Sequence, residues 1–280
     1  MSIQNFIPAV WAGKILGNLQ KDFVYVDACN RDYEGEITAY GDQVKINSIG
    51  AITVKSYTKN TDIDAPQDLT GSQTVLLINQ GDYFNFQVDD VDKAQTNPKV
   101  MDQAMVEASV ALANNTDNYV AGLYVNFTND LGNIEITTVE KAYDILVDMA
   151  QKLDEANVPQ AGRSVIVTPA FRSLLRKDKR FTDLSASGQA VLQNGVIGNV
   201  SGMQVRYSNN VPVATVALVD YSYITAMYRG TISFADQIVS VEAFRPESRF
   251  GDAIKGLHVY GAKVVRPNTG VFAGISINLA

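Results

Sequence analysis

The stretch GDQVKINSIGAITVKSYTKNTDIDAPQDLTGSQ, residues 41–73, decides the fold. Its apolar residues alternate with polar ones, a period of two that predicts β-strand; they are Val44, Ile46, Ile52 and Val54. Gly50 between the two pairs indicates a bulge or kink. The segment TKNTDIDAPQDLTG that follows is rich in turn formers and predicts a polar tip.

The chain then returns as TVLLINQGDYFNFQV, which also has the pattern of a strand, with Phe84, Phe86 and Val88 on one face. The two halves together predict a long hairpin over residues 41–90. An isolated two-stranded hairpin is marginal in water, so this one needs a surface to lie on. The surface we expect it to cover belongs to another copy of the chain.

A long helix follows the hairpin. Asn97 is a suitable N-cap, and Pro98 suits the first helical position. Apolar residues then recur at helical spacing over about thirty residues, as far as Phe127, which is well above the usual helix length. The residues of this stripe are Met101, Met105, Ala108, Leu112, Tyr119 and Leu123.

The second half of the chain mixes helices and strands. A capping box, Thr137-x-x-Glu140, predicts the start of a second helix. RSVIVTP has the composition of a buried strand, and Thr168 with Pro169 opens a third helix. Most of the remainder alternates as strands. The order of arm, hairpin, long helix, α/β segment and strands predicts an α+β protein with segregated elements.

Composition limits the possible functions. The 280 residues are 46% hydrophobic and 19% charged, as in a globular protein. A net charge of −7 argues against broad nucleic-acid affinity but suits a container wall that faces nucleic acid without sticking to it. Cys29 is the only cysteine, so no intrachain disulfide forms and folding in the cytosol is expected. The N-terminus makes a poor signal peptide, and apolar runs such as Val211–Val219 are too short to span a bilayer.

Patterns typical of catalysis are absent from the sequence. His258 is the only histidine, and its alternating strand favours an interior or interface position over a place in a catalytic triad. Asp62, Asp64 and Asp68 resemble a calcium loop, but positions 67 and 73 are Gln where Gly and Glu are required. We therefore predict no catalytic residue, no cofactor and no metal. A carboxylate-dependent hydrolase using Glu34 and Glu36 is a remote alternative.

Two charged clusters are candidate contact surfaces. Asp89, Asp90 and Asp92 precede the long helix, where they are either solvated or paired with a neighbour. The one concentrated basic run falls on the third helix, where residues one turn apart lie on the same face. That face is either solvated or in contact with an acidic partner. Its members are Arg172, Arg176, Lys177, Lys179 and Arg180.

Several segments in this order resemble the major capsid proteins of tailed double-stranded DNA bacteriophages, which have the Hong Kong 97-type fold. NRDYEGEITAYGDQVKINSIGAITVKSYTKN is similar to the lead into the family's extended E-loop, and the long helix is similar to the spine helix of its P-domain. RSVIVTPAFRSLLRKDKRF and NGVIGNVSGMQVRYSNNVP resemble the A-domain, and VEAFRPESRFGDAIKGLHVYGAKVVRP resembles the closing P-domain strands.

The resemblance implies a division of the chain into four parts: an N-terminal arm (1–40), an E-loop hairpin (41–90), a P-domain (91–130 and 235–280) and an A-domain (131–234). It also implies a structural protein that forms pentamers and hexamers, which close into an icosahedral shell around double-stranded DNA. The resemblance further implies that the shell assembles in the cytoplasm of the bacterial host and that the protein is located in the virion capsid.

Partners are implied as well. No charged helical segment precedes Ile3, so a separate scaffolding protein is expected, together with a portal and possible decoration proteins. Some family members cross-link an E-loop lysine to a neighbour's asparagine; Lys55 and Lys59 are available donors, but no partner is matched here. An encapsulin shell enclosing cargo enzymes is the alternative within the same fold. The residues predicted to contact other subunits are Lys55, Tyr57, Lys59, Asp62, Asp64, Asp68, Asp89, Asp90, Arg172, Arg176 and Arg180.

Overall fold

The computed structural model describes residues 23–33, 41, 43–49, 52–54, 56–57, 59–60, 62, 65–68, 71–89, 100–182, 198–246 and 251–279. The helices in these ranges are α1 (Val100–Gly122), α2 (Lys141–Glu155), α3 (Pro169–Lys177) and α4 (Lys179–Thr182). The strands are β1 (Gln43–Ile49), β2 (Gly71–Leu77), β3 (Gln80–Asp89), β4 (Asn129–Ile136), β5 (Arg163–Val167), β6 (Asn199–Val200), β7 (Met203–Tyr207), β8 (Val213–Val216), β9 (Val219–Tyr228), β10 (Ile232–Phe244), β11 (Gly251–Val264) and β12 (Gly270–Ile277).

The largest sheet contains seven strands among the described residues, in the order β4-β12-β9-β5-β7-β6, with β8 paired to β9. The predicted strand β5 lies near its centre, and all five of its residues are buried. The amphipathic helix α2 buries an apolar face that includes Leu146, Met149 and Leu153, as its spacing predicted. The strand β4 was not predicted; it pairs in parallel with β12 from the far end of the chain.

A smaller sheet, three-stranded among the described residues, has the order β10-β11-β3. The helix α1 packs on it, and Tyr119 meets Tyr260 of β11 edge to face at a centroid distance of 5.6 Å. The long helix is thus confirmed, although a 3-10 turn, Leu123–Asn126, replaces its predicted last turn. The predicted cap at Asn97 and Pro98 lies outside the described residues.

The ribbon, which we define as β1, β2 and the tip between them, is the predicted hairpin. β1 and β2 pair antiparallel from Gln43 opposite Leu77 to Ile49 opposite Gly71. The base of the ribbon has a small core within its own chain, formed by Val44, Ile46, Leu76 and Ile78 against Ala235 and Val259. The expectation that the whole hairpin lies on another copy is therefore wrong for its base.

Two local expectations also differ from the structure. The return strand is interrupted at Ile78 and Asn79, and its second half, β3, pairs with β11. The second helix begins at Lys141 with Glu140 as its N-cap residue and with no side-chain cap bond, so the capping box predicted at Thr137 does not form. The strand β4 ends at Ile136, and residues 137–140 connect it to the helix.

Candidate inter-subunit surfaces

The tip of the ribbon has no cover from its own chain. Every described residue from 52 to 68 is exposed, including large apolar side chains: Val54 is 92% exposed and Tyr57 is 74% exposed. Its two sides are joined by a hydrogen bond from the backbone N–H of Thr53 to Oε1 of Gln67 at 3.0 Å. Because an exposed patch of this kind is unusual for a lone soluble subunit, the tip is a candidate contact surface.

The structure places the predicted ribbon contacts as follows. Tyr57, Lys59, Asp62 and Asp68 are all exposed on the tip. Lys55, Asp64 and Asp90 lie outside the described residues. The backbone of Asp89 ends β3 opposite Gly251, so this position is at the edge of the smaller sheet and not on the ribbon.

The basic run is divided between two helices. Thr168 caps α3 by accepting a hydrogen bond from the N–H of Phe171 at 3.2 Å, with Pro169 at the first position, as predicted. Arg172 stacks over the ring of Tyr207 at 3.9 Å, and Arg176 is exposed in the last turn. The face that these arginines share is thus partly used for packing on β7.

Arg180 is used within the chain. It pairs with Asp144 of α2 at 2.7 Å and with Asp178 at 2.9 Å, and its guanidinium lies 4.6 Å from the ring centre of Tyr143. Burial opposes ionisation of Asp178, but the hydrogen bonds from Arg180 hold the pKa of this carboxyl below its usual value. Arg180 therefore braces α4 against α2, and its contact with another subunit stays a prediction.

A buried carboxylate fixes the segment that enters the ribbon. Asp117 of α1 accepts three backbone hydrogen bonds, from the N–H groups of Val24 at 2.8 Å and of Tyr25 and Val26 at 3.2 Å each. Burial is the largest influence on this group and raises its pKa, although the three donors act in the opposite direction. Asp117 thus anchors residues 23–33 to the long helix.

His258 is an interior residue, as its strand pattern predicted. It is 1% exposed on β11, and its Nε2 lies 3.1 Å from Oδ2 of Asp236 on β10. Asp236 also pairs with Arg31 at 3.3 Å. This buried set ties residues 23–33 to the smaller sheet, and its geometry is that of a structural polar network.

The hairpin β8–β9 is a surface that the sequence analysis missed. Residues 213–220 are all exposed, and Leu218 at the turn is 98% exposed. Ala217 and Leu218 have φ of 51° and 67°, the left-handed conformation of a tight two-residue hairpin turn. The apolar run Val211–Val219 is the signal for this hairpin in the sequence.

The described residues contain neither a membrane-spanning helix nor a metal-binding cluster. No described helix is long and apolar enough to cross a membrane. No group of three or more His, Cys, Asp or Glu residues in the described ranges is arranged to hold a metal ion.

A family model and a solved structure identify one family. A model of the phage capsid protein family matches residues 45–272. A solved structure of Mycobacterium phage Che8 is 30% identical, with a TM-score of 0.74 and 90% of each chain covered. None of the curated protein sequences matches the chain.

Two further structures share the fold at lower identity. The capsid of cyanophage P-SCSP1u is 15% identical with a TM-score of 0.72, over 91% of this chain and 89% of that one. The mature capsid of bacteriophage PhiM1 is 13% identical with a TM-score of 0.66, over 92% of this chain and 88% of that one. The fold is thus the Hong Kong 97-type α+β fold, and the chain belongs to the phage capsid protein family.

Proposed function

We propose that this chain is the major capsid protein of a tailed phage, and that it assembles as pentamers and hexamers into the icosahedral shell of the virion. The observation that carries this proposal is the ribbon tip, which projects from a well-packed subunit with apolar and charged side chains uncovered. Membership of the phage capsid family supplies the context in which other copies cover such a surface.

The arrangement of surfaces suits a ring. The tip and the surface it meets are different parts of the subunit, so each contact is head to tail, and head-to-tail contacts around an axis close into rings. Single contacts of this kind are weak. A shell strengthens them because every subunit takes part in several interfaces at once.

The inner wall and the remaining partners are also part of the proposal. A net charge of −7 suits a shell that encloses double-stranded DNA without binding it tightly. We assign the chain no catalytic role. A separate scaffolding protein, a portal and possible decoration proteins are the expected partners.

An encapsulin shell is the alternative, and the phage relative at 30% identity favours the capsid over it. Negative-stain microscopy of the purified protein, alone and with the scaffolding protein from the same genome, tests the proposal. Closed particles are the expected result. A protein that stays monomeric at all concentrations under both conditions overturns it, and particles that package enzymes in the native host favour the encapsulin.

A further inference from the structure

A cavity of about 780 Å³ lies at the junction of the ribbon base, the N-terminal segment and the end of β9. Its described lining includes two arginines, Arg229 and Arg266, and one acidic residue, Asp32, so the described lining residues carry one net positive charge. Ile46 and Asn47 of β1 form part of its wall.

The two arginines are brought together by the larger sheet. Arg229 follows β9 and Arg266 precedes β12, and these strands pair with Gly270 opposite Met227. A Cβ placed on Gly230 would lie 3.6 Å from Nη1 of Arg266, so this guanidinium sits beside the residue that follows Arg229. Backbone hydrogen bonds hold both positions, from Arg229 to Gly162 at 3.0 Å and from Arg266 to Thr231 at 3.2 Å.

Neither guanidinium has a hydrogen bond or ion pair with any described residue. The contrast with nearby arginines is clear, because three others line a neighbouring cavity that also includes Arg229, and each of them has a carboxylate partner. The pairs are Arg31 with Asp236 at 3.3 Å, Arg163 with Asp154 at 2.7 Å, and Arg206 with Asp27. Arg229 and Arg266 are thus held in place, exposed, and available to an anion.

The ribbon tip carries the matching charge. Residues 57–70 contain three aspartates and one lysine, so this segment is acidic. Asp62 and Asp68 are exposed and form no ion pair with any cation in the described ranges. None of the described tip residues lines the cavity of its own chain.

We propose that Arg229 and Arg266 form a carboxylate-binding site, and that its ligand is Asp62 or Asp68 from the ribbon tip of a neighbouring copy. This inference rests on the proposed assembly into a shell. A single carboxylate fits better than a nucleic-acid phosphate backbone, because the described lining residues carry only one net positive charge and Asp32 repels an extended polyanion more strongly than a single charge. Binding at this site fixes the position of the ribbon tip on the neighbouring copy.

Chemical cross-linking in assembled particles tests the site directly. Asp62 or Asp68 is replaced by Cys together with Arg229→Cys or Arg266→Cys, and intact particles are treated with a short bis-maleimide. Cys29 is buried and gives no background. We expect a ladder of linked subunits on a denaturing gel, and no ladder from the matched control that pairs Asp62→Cys with Lys152→Cys, an exposed lysine of α2 outside the cavity.

Charge reversal gives a second readout. Arg229→Glu with Arg266→Glu should lower the yield of empty particles about tenfold, because repulsion then replaces attraction at every such contact. Adding Asp62→Arg and Asp68→Arg to the same chain should restore the yield.

The outcomes separate the two proposals. Wild-type chains that form no particles contradict the proposed function. If the wild-type chain and all four cysteine-pair variants form particles but none of the variants cross-links, the carboxylate site alone is overturned. An effect of charge reversal on DNA-filled particles, with empty particles unchanged, also overturns it and assigns the arginines to phosphate.

Discussion

The base and the tip of the ribbon belong to one hairpin but differ in what covers them. At the base, Val44, Ile46 and Leu76 are buried against the smaller sheet of the same chain. At the tip, Val54 and Tyr57 have no cover from their own chain. One continuous polar–apolar alternation therefore serves two purposes. Its apolar residues at the base pack in the core of the same subunit, whereas those at the tip are available for contact with other subunits.

This division makes a definite claim about free energy. Substitutions at the base should lower the stability of the isolated subunit, whereas substitutions at the tip should leave the subunit intact and weaken the shell. The predictions below are ordered by their expected effect on the unassembled chain.

Leu76→Ala should have the largest effect. Leu76 is 0% exposed in the small core at the base, and truncation of such a side chain lowers the free energy of unfolding by about 2–5 kcal/mol. Val54→Ala at the tip should change it by less than about 0.5 kcal/mol. Urea unfolding of the unassembled proteins, followed by circular dichroism, measures both. Equal losses at the two sites would remove the distinction between base and tip.

Gly261→Ala should cause the second largest loss in the free energy of unfolding. A Cβ on Gly261 would lie 2.2 Å from the carbonyl oxygen of Leu77, where β11 and the ribbon base approach closely. Because the obstacle is backbone, the ribbon base must move, at a cost of about 1–3 kcal/mol. Gly198→Ala is the matched control, since a Cβ there meets nothing within 4 Å. A neutral Gly261→Ala in the same unfolding assay would show that the base is loosely seated.

Asp117→Asn should change the free energy of unfolding by a smaller amount, and this amount should depend on pH. Asp117 is the anchor of residues 23–33, which precede the ribbon. Burial raises the pKa of Asp117 above its ordinary value of 3.8, so the folded chain binds this proton more tightly than the unfolded chain. The stabilisation that the carboxyl group gives the folded chain is therefore present below pH 3.8. It is lost as pH rises through the raised pKa of the folded state.

Unfolding free energies measured from low to neutral pH test this sign. The advantage of the wild-type chain over Asp117→Asn should shrink as pH rises. Asp62→Asn, at the exposed tip, controls for the chemical change. A wild-type advantage that grows with pH would mean that the three backbone donors outweigh burial.

Local signals in the sequence predicted most of the elements. The alternation in β1, the stripe of α1, and Thr168 with Pro169 at α3 each depend on neighbours in the chain, and the structure confirms them. The capping box at Thr137 is also a local signal, but it was wrong: residues 137–140 connect β4 to the helix, which begins at Lys141. A side-chain cap contributes only about 1 kcal/mol, so this local signal is weak.

The remaining features depend on contacts between distant residues. The pairing of β3 with β11 and the placement of Arg229 and Arg266 on one cavity follow from sheet registers that no spacing in the sequence indicates. The anchor at Asp117 is equally invisible, since it links α1 to backbone groups about ninety residues earlier in the chain. The likeness to a known family supplied the overall arrangement, but not these particular contacts.

The most direct measurement replaces residues 57–70 with a short Asn-Gly turn, a type that matches the twist of a hairpin. The unassembled variant should unfold cooperatively with no loss of stability, because the described residues it removes contribute nothing to the core. Under conditions in which the wild-type chain forms closed particles, it should form few or none. A variant that assembles as well as the wild type, or whose subunit unfolds, would contradict the assignment of the ribbon tip to assembly.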